Sequence, residues 1–155
     1  MRFATLTQIF SGGPVRPLWI TGALRFNLSH SAGLVVVAVA RDREVGVDAE
    51  EIREDVEIDD ISRRMFSAQQ CSELATLPSS ARAAGFFALW TQNEAYVKAT
   101  GTGLGGADRG PEPPKGWSVT AFDAVPGYAA AVAVQGDDVQ IPPLATVIPA
   151  DGLGA

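Results

Sequence analysis

The 155-residue chain is long enough for one domain with a hydrophobic core, and its 46% hydrophobic and 19% charged residues are ordinary for a globular protein. A formal net charge of -6 argues against general nucleic-acid binding, which requires a basic face. The single cysteine, Cys71, excludes an internal disulfide and a cysteine-based zinc cluster. The apolar run at 34–40 is too short to span a bilayer as a helix, and no signal peptide is recognisable. We therefore expect a cytoplasmic protein without membrane partners.

The first part of the chain predicts strands. Residues 1–23 show no sustained period and predict an irregular lead-in with one short strand at most. Residues 25–28 predict a strand, and the valine-rich run 34–40 predicts a strand covered on both faces. Residues 45–50 alternate between apolar and other side chains, which predicts a third strand. The polar link at 41–44 suits a hairpin turn between the last two strands.

Three helices are predicted next. The first covers 58–66, and the second covers 68–76 with Ser67 as its N-cap. The third and longest covers about 81–100, with Ser79 or Ser80 as N-cap and Gly101 as its C-terminal stop.

The remainder predicts a loop, a hairpin and a tail. Residues 103–116 are rich in Gly and Pro and predict a loop. Residues 118–124 and 128–134 predict a hairpin that turns at Pro126-Gly127, and the tail predicts a short strand and a loose end. We expect a single domain over 1–155 with its core at 24–134 and its tail at 135–155. The predicted class is α+β, an antiparallel sheet packed on the long helix.

Two acidic residues, Asp48 and Glu50, lie two apart on a predicted strand. Side chains at that spacing share one face. The face is either open to water, or the two like charges share a cation between them. Mg²⁺ prefers oxygen ligands and often pairs one or two carboxylates with substrate phosphates.

Glu94 and Lys98 lie on the predicted long helix. On a helical wheel both fall on the apolar side, which Ala83, Phe87, Trp90 and Val97 form, while Gly85, Gln92 and Ala99 fall opposite. Charges placed toward a core or cleft need partners. Two interpretations stay open: Glu94 and Lys98 pair with each other, or they form part of a metal and phosphate site.

His30, the only histidine, lies between Ser29 and Ser31. We expect these three residues to form a tight turn at a strand end, where hydroxyls, backbone N–H groups and an imidazole either bond locally or bind an anion. No Gly-x-Ser-x-Gly elbow surrounds either serine, so a serine-hydrolase triad is excluded.

Three segments together resemble the Sfp-type 4′-phosphopantetheinyl transferases. Residues 26–31 (FNLSHS) resemble the serine-histidine motif of this family, and 45–50 (VGVDAE) resemble its Gly-x-Asp-x-Glu motif. Residues 90–104 (WTQNEAYVKATGTGL) resemble its Trp-x-x-Lys-Glu-Ala, Lys and Gly-x-Gly-Leu signature. The resemblance implies transfer of phosphopantetheine from coenzyme A to a serine of an acyl or peptidyl carrier protein.

By matching position, the resemblance implies a role for each acidic residue. Asp48, Glu50 and Glu94 are expected to hold Mg²⁺ on the pyrophosphate of coenzyme A. Glu94 is also expected to take the proton from the carrier serine, directly or through water.

The resemblance implies substrate contacts as well. Ser29 and His30 are expected to contact phosphates of coenzyme A. Lys98 is expected to neutralise the pyrophosphate charge and to assist the leaving group, which makes it both a catalytic and a substrate-binding residue.

The chain departs from the family pattern in ways that keep alternatives open. Asn93 stands where the family has a lysine, and the chain resembles mainly the second of two similar halves. We expect a second copy or another chain to complete the site. The alternative function is a degenerate homologue that binds coenzyme A, a carrier protein or a partner chain without efficient catalysis. A third interpretation is an unrelated α+β scaffold that binds Mg²⁺ and phosphate.

Overall fold

A computed structural model describes residues 2–9, 23–102, 115–137 and 146–149, which form strands and helices in mixed order. The strands are β1 (Arg2–Ile9), β2 (Leu24–Ser31), β3 (Leu34–Arg41), β4 (Val45–Glu51), β5 (Trp117–Ala121), β6 (Tyr128–Gln135) and β7 (Thr146–Pro149). The helices, between β4 and β5, are α1 (Ile58–Met65), α2 (Ala68–Thr76) and α3 (Ser79–Thr100).

The strands lie in two sheets. One has the order β2-β3-β1-β7, and the other has the order β4-β6-β5. The second sheet is antiparallel throughout, carries Asp48 and Glu50 on β4, and packs on α3. This confirms the predicted α+β class. The first sheet is mixed, because β1 pairs with β3 in parallel, and the sequence did not predict this parallel pair.

The predicted hairpin between the strands at 34–40 and 45–50 is wrong. β3 pairs with β2 and β1, whereas β4 pairs with β6, with Val45 opposite Val134 and Glu51 opposite Tyr128. Between β3 and β4 the chain passes from one sheet to the other through Asp42, which has a left-handed φ of 55°. The Asp42 carboxylate accepts a hydrogen bond from the Ala23 N–H at 2.8 Å, which fixes this change of direction.

The hydrophobic core has three parts: one between the sheets, one among the helices, and one between α3 and β6 that consists of Ala95, Ala99, Ala131 and Ala133. Buried side chains of β3, β4 and β6 fill the first part: Leu34, Val36, Ala38, Ala40, Val45, Val47, Ala49, Val132 and Val134. The second part consists of Phe66, Leu74, Phe86 and Phe87, with Trp90 stacked on Phe86. Val35 and Val36 are both buried, as the prediction of a strand covered on both faces requires.

Most of the predicted helix boundaries are confirmed. α2 has the predicted bounds, and Ser67 caps it in a capping box with Gln70. Gly101 ends α3 with a left-handed φ of 67°. The predicted caps Ser79 and Ser80 are wrong, because the extended Pro78 occupies the N-cap position and the helix begins at the next residue. α1 ends at Met65, one residue before the predicted end.

Strand predictions at the two ends of the chain have mixed outcomes. The lead-in contains β1, which has eight residues and is therefore longer than the short strand expected. The hairpin of β5 and β6 is confirmed, and so is the short strand β7 in the tail. Most of the predicted loop at 103–116 lies outside the described residues. Within the described part of the chain, none of the helices combines the length and apolar character needed to cross a membrane.

Helix α3 lies unusually close to β4. A Cβ atom added to Gly46 would lie 2.1 Å from the Ala95 carbonyl oxygen and 2.4 Å from the Ala99 nitrogen. The orientation predicted for this helix is therefore wrong. Ala99, which was predicted to face water, is buried, and Thr91 and Ala95 are fully buried. Glu94 lies beside this buried stripe and is only partly buried, instead of lying at its centre.

We expect Gly46→Ala to destabilise the protein by about 3 kcal/mol, because the added methyl group overlaps backbone atoms that cannot move without displacing α3 from β4. Urea denaturation measures the change. Gly33→Ala is the matched control, because a Cβ atom there meets no atom within 4 Å, and it should change stability by less than about 0.5 kcal/mol. Equal effects of the two variants would contradict the close approach.

Candidate functional site

Asp48 is the centre of a polar cluster beneath α3. The other members of this cluster are Ser29, Ser31, Glu50, Glu94 and Lys98. Asp48 is only 3% exposed, and its carboxylate oxygen Oδ1 accepts two hydrogen bonds. The Lys98 ammonium donates to it at 2.7 Å and the Ser29 hydroxyl at 2.9 Å. Asp48 reaches this position because residues 46, 48 and 50 share the face of β4 on which Gly46 meets α3.

The second oxygen of Asp48, Oδ2, is buried and has no hydrogen-bond partner in the protein. A buried carboxylate oxygen without a partner is costly, since the group has lost water without gaining a donor. Oδ2 is therefore the atom at which the cluster can accept a cation or a further donor while the two bonds to Oδ1 remain in place.

The hydroxyl of Ser29 is fully used within the protein. It donates its single hydrogen to Asp48 and accepts hydrogen bonds from the Lys98 ammonium at 3.1 Å and from the Ala49 N–H at 3.2 Å. A hydroxyl has one donor and two acceptor positions, so this geometry leaves Ser29 no hydrogen to donate to a phosphate. The residue is also only 4% exposed.

Glu50 lies on the same face of β4 as Asp48 but is partly exposed. Its Oε2 accepts a hydrogen bond from the Ser31 hydroxyl at 2.8 Å, and Ser31 in turn accepts one from the Glu51 N–H at 3.1 Å. The second oxygen of Glu50 is left for another partner.

Glu94, on α3, is the third carboxylate of the cluster, after Asp48 and Glu50. Burial raises the pKa of Glu94 above its ordinary value of 4.5, and the negative charge of Asp48 raises this pKa further. The Lys98 ammonium lowers the pKa, and Glu50 raises it. The carboxylates therefore interact with one another, and a cation placed among them would relieve their repulsion.

The Lys98 ammonium pairs with Asp48, and no ion pair joins it to Glu94 among the described residues. This geometry disfavours the interpretation in which Glu94 and Lys98 simply neutralise each other on the helix surface. The i,i+4 spacing on α3 brings the two side chains near each other, but β4 supplies the partner of the lysine.

The donor set fits a hard divalent cation. All three acidic side chains offer oxygen, the ligand atom that Mg²⁺ prefers, and Asp48 Oδ2 is a buried oxygen without a partner. In the described ranges, no three Asp, Glu, His or Cys residues lie close enough together to enclose a metal by themselves. Mg²⁺ usually keeps several waters and binds through one or two carboxylates together with substrate phosphates.

His30 lies apart from this cluster. It is exposed, and because β2 alternates its side chains, His30 points to the opposite side of the strand from Ser29 and Ser31. The expected tight turn is wrong, since all three residues belong to β2, whose pairing with β3 continues to Ser31 opposite Leu34.

Ser31 belongs to the cluster but was not predicted as a site residue, and Asn27 lies outside the cluster in the same row of β2. Ser31 bonds Glu50, and Asn27 Oδ1 accepts a hydrogen bond from the Val47 N–H at 3.0 Å. A signal was present in the sequence: 27, 29 and 31 are polar, whereas 26 and 28 are large and apolar. This alternation indicates one polar face of a strand, but only the structure shows that this face is the inner one.

A family model described as the 4′-phosphopantetheinyl transferase superfamily matches residues 44–140. This range is more than half of the chain and includes Asp48, Glu50, Glu94 and Lys98. The chain belongs to this superfamily.

Individual relatives match between 52% and 62% of the chain. The 4′-phosphopantetheinyl transferase HetI of Nostoc sp. is 40% identical over 81 residues, which are 52% of this chain and 34% of HetI. The 4′-phosphopantetheinyl transferase psf-1 of Bacillus pumilus is 45% identical over 83 residues, 53% of this chain and 34% of psf-1. The 4′-phosphopantetheinyl transferase AcpT of Salmonella typhimurium is 32% identical over 97 residues, 62% of this chain and 50% of AcpT. The match thus covers between a third and a half of these relatives.

The raised pKa of Glu94 predicts a pH dependence of stability in the metal-free protein. The folded state binds the Glu94 proton more tightly than the unfolded chain does, so ionisation of Glu94 costs stability as pH rises above 4.5 through the folded-state pKa. We expect Glu94→Gln to raise the melting temperature relative to the parent at about pH 7.5 and to lose this advantage at about pH 4. Thermal denaturation in the presence of a chelator measures both.

Glu54→Gln is the control for loss of a negative charge, because Glu54 is exposed on the surface. Its effect should be small and similar at both pH values. A Glu94→Gln offset that is the same at both pH values, or larger at the acidic one, would contradict the assigned pKa direction.

Proposed function

We propose that the chain is a 4′-phosphopantetheinyl transferase of the Sfp type, which moves phosphopantetheine from coenzyme A to a serine of an acyl or peptidyl carrier protein. One observation carries the proposal: the buried Asp48 combines an unpartnered oxygen with a bonded lysine, beside Glu50 and Glu94. Membership of the superfamily and its transferase relatives supports it.

Mg²⁺ is the proposed cofactor, held by Asp48, Glu50 and Glu94 together with substrate oxygens. When bound, it would stabilise the negative charge that spreads over the pyrophosphate during transfer. The alternating side chains of β4 present two of these carboxylates on one face, and α3 presents the third beside them. The fully buried Thr91 and Ala95 hold α3 in place on this face.

The transfer step itself requires a proton acceptor and a cation. The oxygen of the carrier serine attacks the phosphorus attached to pantetheine, the new P–O bond forms, and the P–O bond to the adenosine bisphosphate leaving group breaks. Glu94 accepts the serine proton, directly or through water. Lys98, which is bonded to Asp48, would neutralise charge that develops on the leaving group.

Contacts to the remaining phosphate of coenzyme A are proposed for His30. Its exposure leaves it accessible to a ligand, and its position across β2 from Asp48 would place that contact away from the pyrophosphate. The proposed contact of Ser29 with phosphate has less support, because Asp48 already takes its hydroxyl hydrogen.

A second copy of the chain, or another chain, is proposed to complete the site. The side of β2 that carries His30 also exposes Leu24, Phe26 and Leu28, with Phe26 74% exposed. Contiguous apolar side chains on a surface commonly mark an interaction site. A cytoplasmic location, where carrier proteins would be modified, is part of the same proposal.

One observation favours the alternative of a binding homologue without efficient catalysis. Asn93, which stands where the family has a lysine, accepts a hydrogen bond through its side chain from the buried Gln70 at 3.2 Å. This position therefore links α2 to α3 instead of adding positive charge near the phosphates. The intact cluster of Asp48, Glu94 and Lys98 favours the transferase.

The transferase is tested by mass spectrometry of an apo carrier protein incubated with the chain, coenzyme A and Mg²⁺. We expect a mass gain of one phosphopantetheine, and we expect Glu94→Ala to slow it by at least about 100-fold because the proton acceptor and a metal ligand are both lost. Glu54→Ala removes an exposed carboxylate outside the cluster and should leave the rate unchanged.

Absence of transfer to several carriers would contradict the transferase. Calorimetric titration with coenzyme A and Mg²⁺ then distinguishes the alternatives. Binding without transfer would support the degenerate homologue, whereas binding of Mg²⁺ without any response to coenzyme A would contradict both functions.

The second chain is tested by light scattering during size-exclusion chromatography. We expect the protein to form a dimer or larger assembly at micromolar concentration and Phe26→Ser to shift it toward the monomer, since the substitution removes the most exposed apolar side chain of β2. Leu77→Ser is the matched control, because Leu77 is also exposed but follows α2. A parent protein that is monomeric up to high concentration, alone and with a carrier, would contradict the proposal.

A further inference from the structure

Two serines of β2 make the same pair of hydrogen bonds to β4, two residues apart. Ser29 donates to the Asp48 carboxylate and accepts from the N–H of the next residue, Ala49. Ser31 donates to the Glu50 carboxylate and accepts from the N–H of the next residue, Glu51. The spacing of 19 residues from serine to carboxylate and 20 from serine to amide is the same in both.

The pattern arises because β2 and β4 are neighbouring edges of different sheets. β4 uses one edge to pair with β6, so the N–H groups on its other edge need partners that β2 supplies through side chains. Asn27 continues the row by accepting from the Val47 N–H, but it contacts no carboxylate. Three side chains thus anchor the strand, and only two of them also hold an acidic group.

The direction of each serine bond is fixed. A hydroxyl that accepts a hydrogen bond from a backbone N–H turns its single hydrogen toward its other neighbour, which here is a carboxylate oxygen. One oxygen of each carboxylate is thereby held toward β2. The other oxygen, Asp48 Oδ2 or Glu50 Oε1, is left to face a different partner, and Asp48 Oδ2 is buried without one.

We propose that Ser29 and Ser31 are positioning residues that orient Asp48 and Glu50 so that one oxygen of each carboxylate is directed at a divalent cation. This inference rests on the proposed function, and it assigns Ser29 a role in orienting a ligand instead of contacting phosphate. It also adds Ser31 to the site.

A Ser31 variant tests the positioning role without disturbing Lys98. Ser29 also contacts the Lys98 ammonium, so its removal disturbs both Asp48 and Lys98. Among the described residues, Ser31 bonds Glu50 and the Glu51 N–H and does not contact Lys98, so Ser31→Ala removes the orienting bond to one carboxylate and leaves the lysine in place. Asn27→Ala is the matched control, because it removes one anchor of the β4 backbone and no bond to a carboxylate.

The test is calorimetric titration of Mg²⁺ into the full chain, with coenzyme A present, together with the kinetics of carrier modification. We expect Ser31→Ala to weaken Mg²⁺ binding about tenfold and to lower kcat more than it raises KM for the carrier. Ser31→Thr keeps the hydroxyl and should restore Mg²⁺ affinity to within about threefold of the parent. Asn27→Ala should also stay within about threefold, although its melting temperature falls.

Each outcome decides between the positioning role and a purely structural one. If Ser31→Ala and Asn27→Ala weaken Mg²⁺ binding equally, or if Ser31→Ala leaves it unchanged while the parent binds Mg²⁺ and modifies the carrier, the positioning role is wrong and the proposed function stands. If the parent itself binds no divalent cation, the proposed function and this inference are both wrong.

Discussion

The position of β4 is the constraint on which the rest of the structure depends. Its main chain pairs with β6 on one edge, and its N–H groups on the other edge bond Asn27, Ser29 and Ser31. Its glycine allows α3 to approach to backbone contact, with no room for even one methyl group. A strand held from three directions cannot shift its register, so the carboxylates of Asp48 and Glu50 stay at fixed positions relative to α3.

This rigidity makes a buried charge tolerable. Leaving a carboxylate unpaired inside a protein costs several kcal/mol, and a single lysine compensates only one oxygen of Asp48. The cluster therefore retains negative charge from three carboxylates against one ammonium. Burial, and after it the negative charge of Asp48, raises the pKa of Glu94. A site with uncompensated negative charge and oxygen ligands favours a divalent cation, and a cation in turn favours a phosphate beside it. The excess of carboxylates over ammonium groups therefore lowers the stability of the fold and also supports the proposed binding of a cation.

Local sequence patterns predicted much of the fold, whereas the grouping of Asp48, Glu50 and Glu94 into one expected site came from the family resemblance. The capping serine of α2, the glycine that ends α3 and the β5–β6 hairpin follow from short-range chemistry, and all are observed. The partners of β3 and β4 were missed, because a polar link between two strands does not reveal that they belong to different sheets. The rotation of α3 was missed because the contact with Gly46 places the small residues Ala95 and Ala99 against β4, whereas the wheel was oriented on larger apolar residues. Ser31 was missed because its partner is distant in sequence.

The most direct test of the central claim is a crystal structure of the chain with Mn²⁺ and coenzyme A, in which anomalous scattering locates the metal. We expect one Mn²⁺ at about 2.1 Å from Asp48 Oδ2, with Glu50 and a pyrophosphate oxygen among its other ligands and with Lys98 still bonded to Asp48 Oδ1. Mn²⁺ bound elsewhere, or coenzyme A bound with Asp48 Oδ2 still lacking a partner, would contradict the claim that this buried carboxylate is the centre of the site.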